Sequence, residues 1–165
     1  MKTKDLNGYV AIYKDLLETG ELQIAYAQLV KYVQKLRTQL SKDLRKDFSV
    51  GSVFQGYMDY TYFYLTNSYL QSKKLKLGIV FNHKEANFEV WLLGQTKGVQ
   101  ESYWNLLKST KWIKVPNIPQ YSIFEVVLVK TPDFGDLDKL TAELKKKFTV
   151  IANDIFISLK EAARS

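Results

Sequence analysis

Two carboxylates, Asp59 and Glu89, lie in surroundings where chemistry could be done. Asp59 is set in the aromatic run 56–65, GYMDYTYFYL, and Glu89 stands two residues before Trp91 in FEVWLL. A carboxylate amid aromatic residues is costly to bury unpaired, so it either has a partner or faces water. In an extended strand, alternation puts Gln55, Tyr57, Asp59 and Thr61 on one face. If that face coincides with the one bearing Glu89 and Trp91, a concave patch results. It combines two carboxylates, an amide, hydroxyls and an indole, the mixture of apolar walls and few polar groups that small-molecule sites use. Two neighbouring carboxylates also suit Mg²⁺ binding or acid–base work. The plainer reading of the same residues is a buried polar cluster, or a wet sheet face with cross-strand pairs.

The other candidates are more isolated. His83, the sole histidine, could serve as a base or a ligand; a lone loop histidine is ordinarily just solvated. Arg37 could meet a carboxylate or an anion, although it falls in a Lys/Arg-rich helical stretch that reads as a solvated face. Tyr60, Tyr62 and Tyr64 share the opposite strand face. They could stack nucleic-acid bases, or equally form core or a dimer surface. Trp104 and Trp112 read as packing anchors, and Lys145–Lys147 as the wet side of a helix.

Composition removes several chemistries. The 165 residues include no cysteine, which excludes disulfides, thiolate metal sites and a cysteine nucleophile. One histidine excludes a zinc site built on two or three. Neither a Gly-rich phosphate loop nor a GxSxG elbow occurs. Hydrophobic content of 46% with 25% charged residues indicates a folded chain of one domain. The net charge is +7, but Lys and Arg outnumber acids by nine to six over 1–50, eight to five over 51–129 and seven to six over 130–165. That even spread describes a lysine-biased surface rather than a nucleic-acid footprint. The first ten residues hold no apolar run of signal-peptide length and no window reaches a membrane span, so a soluble, cytoplasmic protein without membrane contact is expected.

The elements that must position these residues follow from periodicity. Asp5–Thr19 reads as a helix, stopped by Gly20. A longer helix runs from Glu21 to about Lys46. An aromatic strand covers roughly Val53 to Leu65, a polar loop Thr66 to Lys74, and then a hairpin Leu75–Leu93 organises the sheet. Pairing Phe81 with Phe88, Ile79 with Val90 and Leu77 with Leu92 gives one wholly apolar face that helices must cover. The other face then pairs Val80 with Glu89, Gly78 with Trp91 and Lys76 with Leu93, the Trp ring filling the space above Gly78. A four-residue loop, His83–Ala86, joins the two strands. A helix over Val99–Thr110, a strand over Tyr121–Lys130 and a last helix from the N-cap Asp136 to about Ala162 complete the chain. The expected fold is α+β, with two N-terminal helices, a three-strand antiparallel meander, a helix, a fourth strand and a long C-terminal helix, all helices against one sheet.

GYMDYTYFYL at 56–65, KLGIVFNHKEANFEVWL at 76–92 and YW at 103–104 resemble the pattern of a family of small uncharacterised bacterial proteins, a domain of unknown function. The resemblance covers most of the chain, implies a stand-alone domain and carries no activity with it. The element order is also similar to the core of restriction-endonuclease-like folds, which hold a metal with an acidic residue on one strand and an acid-x-Lys triplet on the next. Here that triplet reads Glu89-Val90-Trp91, and the strand before it has no acid, so a related fold would have lost the nuclease chemistry.

Taken together, the sequence describes a non-enzymatic domain that binds a small molecule or a protein through one face of its sheet. Gln55, Tyr57, Asp59, Thr61, Glu89, Trp91, His83 and Arg37 are the candidate contacts. Self-association into a homodimer through the aromatic sheet face is expected. A degenerate metal-dependent hydrolase using Asp59 and Glu89, and a nucleic-acid-binding module, stand as alternatives. No cofactor is specified.

Overall fold

A computed structural model describes residues 5–164 of the chain. Among the described residues there are five helices and one five-stranded sheet. In chain order they are α1 (Leu6–Leu17), α2 (Glu21–Asp43), β1 (Ser49–Val50), β2 (Tyr60–Thr66), α3 (Ser68–Ser72), β3 (Leu75–Asn82), β4 (Asn87–Gly94), α4 (Lys97–Leu106), β5 (Phe124–Val129) and α5 (Leu137–Ala162). The strands lie in sequence order and every pairing is antiparallel. This is the α+β arrangement expected, with α3 and the two-residue β1 added to it.

The helix boundaries have local causes. Asp5 caps α1, its carboxylate accepting from the Gly8 N–H at 2.9 Å. Gly20 takes φ 75° between α1 and α2, a left-handed conformation that a side chain would strain. Thr96 caps α4, which therefore starts two residues before Val99 and ends at Leu106 rather than Thr110. Asp136 caps α5, accepting from the Lys139 N–H at 3.0 Å.

The central hairpin has the register its apolar pattern requires. Phe81 pairs with Phe88, Ile79 with Val90 and Leu77 with Leu92. Thr61, Phe63 and Leu65 of β2 join the same face. Against it pack Leu36 and Leu40 of α2 and Leu144, Phe148 and Ile155 of α5, forming the main core. Trp104 and Trp112 are buried there as anchors; the Trp112 indole N–H donates to Ser158 Oγ at 2.8 Å.

One expectation is corrected and two gain detail. The aromatic strand begins at Tyr60, not Val53, because Gly56 (φ 70°) and Met58 (φ 64°) interrupt the extended backbone before it. Gly78 pairs with Trp91 as expected, and a Cβ added there would also meet Leu93 at 3.2 Å and Tyr64 and Val80 at 3.7 Å. The loop after β3 does have four residues, but it closes with Ala86 at φ 49°. An alanine there is strained, so Ala86→Gly should raise unfolding stability by about 0.5–1 kcal/mol, read as a shift in the denaturant midpoint at constant slope.

Candidate functional site

The sheet has two unlike faces. One is the core face. The other carries Tyr60, Tyr62 and Tyr64 of β2, Val80 of β3, and Glu89, Trp91 and Leu93 of β4. Val80, Trp91 and Leu93 are buried as a small second cluster with the three tyrosines packed on it, and no helical residue among those described joins them. A cleft of about 420 Å³ opens here, lined by Tyr57, Asp59, Tyr60, Tyr62, Tyr64, Lys76, Val80, Trp91, Leu93 and Tyr121. Its volume falls within the range of small-ligand sites.

The aromatic walls are braced against one another. Tyr60 meets Trp91 edge-on with centroids 4.9 Å apart. Phe54 stacks on Tyr62 at 5.2 Å, held there by reciprocal backbone hydrogen bonds between the two residues. Tyr62 and Tyr64 lie 5.3 Å apart, and the Lys76 ammonium sits 3.6 Å from the Tyr64 ring centroid. Burial pushes the Tyr64 hydroxyl well up and the Lys76 ammonium down from their ordinary values.

The acids are arranged unequally. Glu89 is buried and both its oxygens are taken: Oε2 accepts from the Trp91 indole N–H at 2.6 Å and Oε1 from the Asn82 amide at 3.0 Å. Asp59 lies on the rim, its Oδ1 accepting from the backbone N–H groups of Tyr57 (2.8 Å) and Tyr60 (2.7 Å). Those two hydrogen bonds hold its carboxyl below the usual range, so it is ionised at neutral pH. Glu125 of β5, paired with Trp91, accepts from the Ser122 hydroxyl at 2.8 Å; burial pushes its carboxyl up, and Glu89 adds to the shift. The Tyr60 hydroxyl is raised first by burial and then by Glu125, Glu89 and Asp59 in turn, which shows the negative field at this end of the cleft.

The sequence-derived candidates therefore divide. Tyr57, Asp59 and Trp91 line the cleft, with Glu89 bonded to the indole. Thr61 is on the opposite, core face, correcting the expectation that it shares a face with Glu89 and Trp91. Its hydroxyl proton goes to the Gln55 carbonyl (2.7 Å), so its oxygen accepts from His83 Nε2–H (2.7 Å), which fixes the histidine tautomer. Tyr26 of α2 donates to the same carbonyl at 3.2 Å and packs on the His83 ring at 5.4 Å. Gln55, Thr61 and His83 thus form a clamp joining α2, β2 and the hairpin, and His83 is not a solvated loop residue. Arg37 is elsewhere, donating to the carbonyls of Gly51 (2.7 Å) and Val50 (2.9 Å) and so pinning β1 to α2. The lining side chains outside the sequence-derived set are those of Tyr60, Tyr62, Tyr64, Lys76, Val80, Leu93 and Tyr121, with Gly56 and Gly94 contributing backbone. The hairpin register alone puts Lys76, Val80 and Leu93 on the face of Glu89 and Trp91, and pairing Phe63 with Ile79 brings the three β2 tyrosines beside them.

The clamp has a pH consequence. Burial lowers His83 from 6.5, with Asp59 pulling the other way. Between that depressed value and 6.5 the unfolded chain takes up a proton that the folded chain refuses. Stability is therefore expected to fall as pH drops through this window. Asp59 adds a loss in the same sense below 3.8, while Glu125, raised above 4.5, opposes it. His83→Gln should flatten the dependence just below pH 6.5 in urea denaturation measured as a function of pH.

Among the described residues, no group of three or more His, Cys, Asp or Glu is placed to hold a metal ion, and no helix is long and apolar enough to cross a membrane. At the Glu89-Val90-Trp91 triplet, the indole stands where a nuclease would have a lysine, and it uses the carboxylate as an acceptor.

No curated protein and no solved structure matches the chain. A family model, described as a domain of unknown function (DUF7000), matches residues 6–159, the span from the first helix almost to the end of the last. The chain belongs to this family.

Proposed function

We propose that the domain binds a small molecule in the tyrosine-lined cleft, with a flat ring system against the aromatic walls and a cationic group directed to Asp59. The observation that carries this reading is the cleft on the helix-free side of the sheet, walled by rings and acidic at one end. Aromatic rings offer large contact area at low entropic cost, and their faces attract cations. Asp59 precedes Tyr60 at one end, while Lys76 pairs with Leu93 at the other, so the cleft is polarised along the strands. Lys76 is the one cation among the lining residues. A polyanion such as nucleic acid would meet the acids first, and its phosphates would find little to neutralise them. A hydrolase pairing Asp59 with Glu89 is not favoured, because the Glu89 oxygens both serve structural donors.

Probes that differ only in the charge of one end test this: tryptamine against indole-3-acetate, and tyramine against 4-hydroxyphenylacetate. In ligand-observed NMR titrations the amines should bind at least about tenfold more tightly than the acids, and Asp59→Asn should narrow the difference. Equal binding of both classes, or tighter binding of the acids, would contradict the charge assignment.

A further inference from the structure

The N-terminal helix carries an apolar stripe that no described residue buries. No residue of α1 is buried. Leu6, Tyr9, Val10, Tyr13 and Leu16, which recur along one side, are between 46% and 77% exposed. A helix of 12 residues is marginal in water unless its apolar side is packed. The family match begins at residue 6, so α1 is part of the domain and not an appendage.

The sequence of the helix also has a symmetry that bears on what covers it. From Leu6 to Leu16 it reads LNGYVAIYKDL, nearly the same in both directions about Ala11. We propose that α1 is the interface of a homodimer, packed antiparallel against α1 of a second copy about a twofold axis at the level of Ala11. In this register Leu6 meets the second copy's Leu16, and Tyr9 meets its Tyr13. Each contact is made twice, as a self-complementary twofold interface requires. Lys14 and Asp15 face Gly8 and Asn7, so no like charges are opposed. The stripe residues expose on the order of 100 Å² each, and pairing two stripes removes roughly 1,000 Å² in total, about the minimum for a specific interface. The dimer uses no residue of the cleft and stands independently of the ligand reading. It assigns self-association to α1 in place of the aromatic sheet face.

Two measurements on the full chain test it. Sedimentation velocity from micromolar to submillimolar concentration should give twice the 19.2 kDa mass of one chain. Tyr13→Glu should raise the dimer dissociation constant at least about thirtyfold, with an unchanged circular dichroism spectrum because the side chain supports no core. In this cysteine-free chain, Leu6→Cys and Leu16→Cys proteins mixed under oxidation should cross-link to each other in preference to themselves. A monomer throughout, a dimer indifferent to Tyr13→Glu, or preferred Leu6→Cys self-cross-linking would overturn the proposal. So would a monomer that sediments with phosphatidylglycerol vesicles, which would make the stripe a lipid-facing surface.

Discussion

Trp91→Ala is expected to cost about 4 kcal/mol of unfolding stability and to abolish binding of the amine probes. The indole is 4% exposed and is central to the open-face cluster. Its removal leaves a cavity beneath Tyr60, in the range seen for large aromatic truncations. It also strips Glu89 Oε2 of its donor in a buried position, where an unsatisfied acceptor is costly. Trp91→Phe separates the two contributions. It keeps most of the ring and loses the N–H, so about 1–2 kcal/mol should be lost, with probe binding weakened but retained. Equilibrium urea denaturation followed by far-ultraviolet circular dichroism reads both values. Equal costs for the two variants would show that the hydrogen bond, not the packing, is what Trp91 supplies.

Gly56→Ala should be about as damaging, for a backbone reason. Gly56 has φ 70°, and a Cβ built on it would collide with the Tyr60 carbonyl oxygen. Neither atom is at the end of a flexible side chain, so the turn itself must shift. The expected cost is about 3 kcal/mol or more. Because this turn aims Tyr57 and Asp59 at the cleft, the variant should lose affinity for the amines by at least about tenfold even where it remains folded. A variant with native stability and native binding would mean that the turn has no part in the site.

The same turn explains what could and could not be read from the sequence. The hairpin register was legible because three apolar pairs on one face leave little choice, and a slip by one residue would turn Phe81 and Phe88 outward. The cap at Asp136 and the stop at Gly20 are legible from residue type alone, whereas Asp5 reads as the first helical residue and is in fact the cap. The composition of the site was only half legible. Alternation counted from Gln55 places Asp59 with Thr61, but two left-handed residues, Gly56 and Met58, break the count before the strand begins at Tyr60. Asp59 therefore reaches the cleft through a turn, while Thr61 goes to the core. Alternation marks the tyrosine face as a separate surface but does not by itself match it to Glu89 and Trp91. Phe63 and Leu65 are the more apolar partners for Ile79 and Leu77, and following them puts the tyrosines beside the indole. The roles of His83 and Arg37 depend on which backbone carbonyls fold brings near, and no local pattern announces that.

The exposed stripe of α1 shows the opposite situation. Its helical spacing was plain from the sequence, and amphipathicity normally means that the apolar side meets the core. No described residue covers that side, and the antiparallel pairing proposed for it rests on the near-palindrome about Ala11.

The most direct test of the cleft reading is an amide and indole N–H chemical-shift map of the protein titrated with tryptamine. The account predicts that the largest saturable changes occur at the Trp91 indole and at the amides of Tyr57, Asp59, Tyr60 and Tyr62, and that they are lost in Asp59→Asn. Changes centred instead on α1 or on the helices covering the core face, with Trp91 and Tyr60 unmoved, would contradict it.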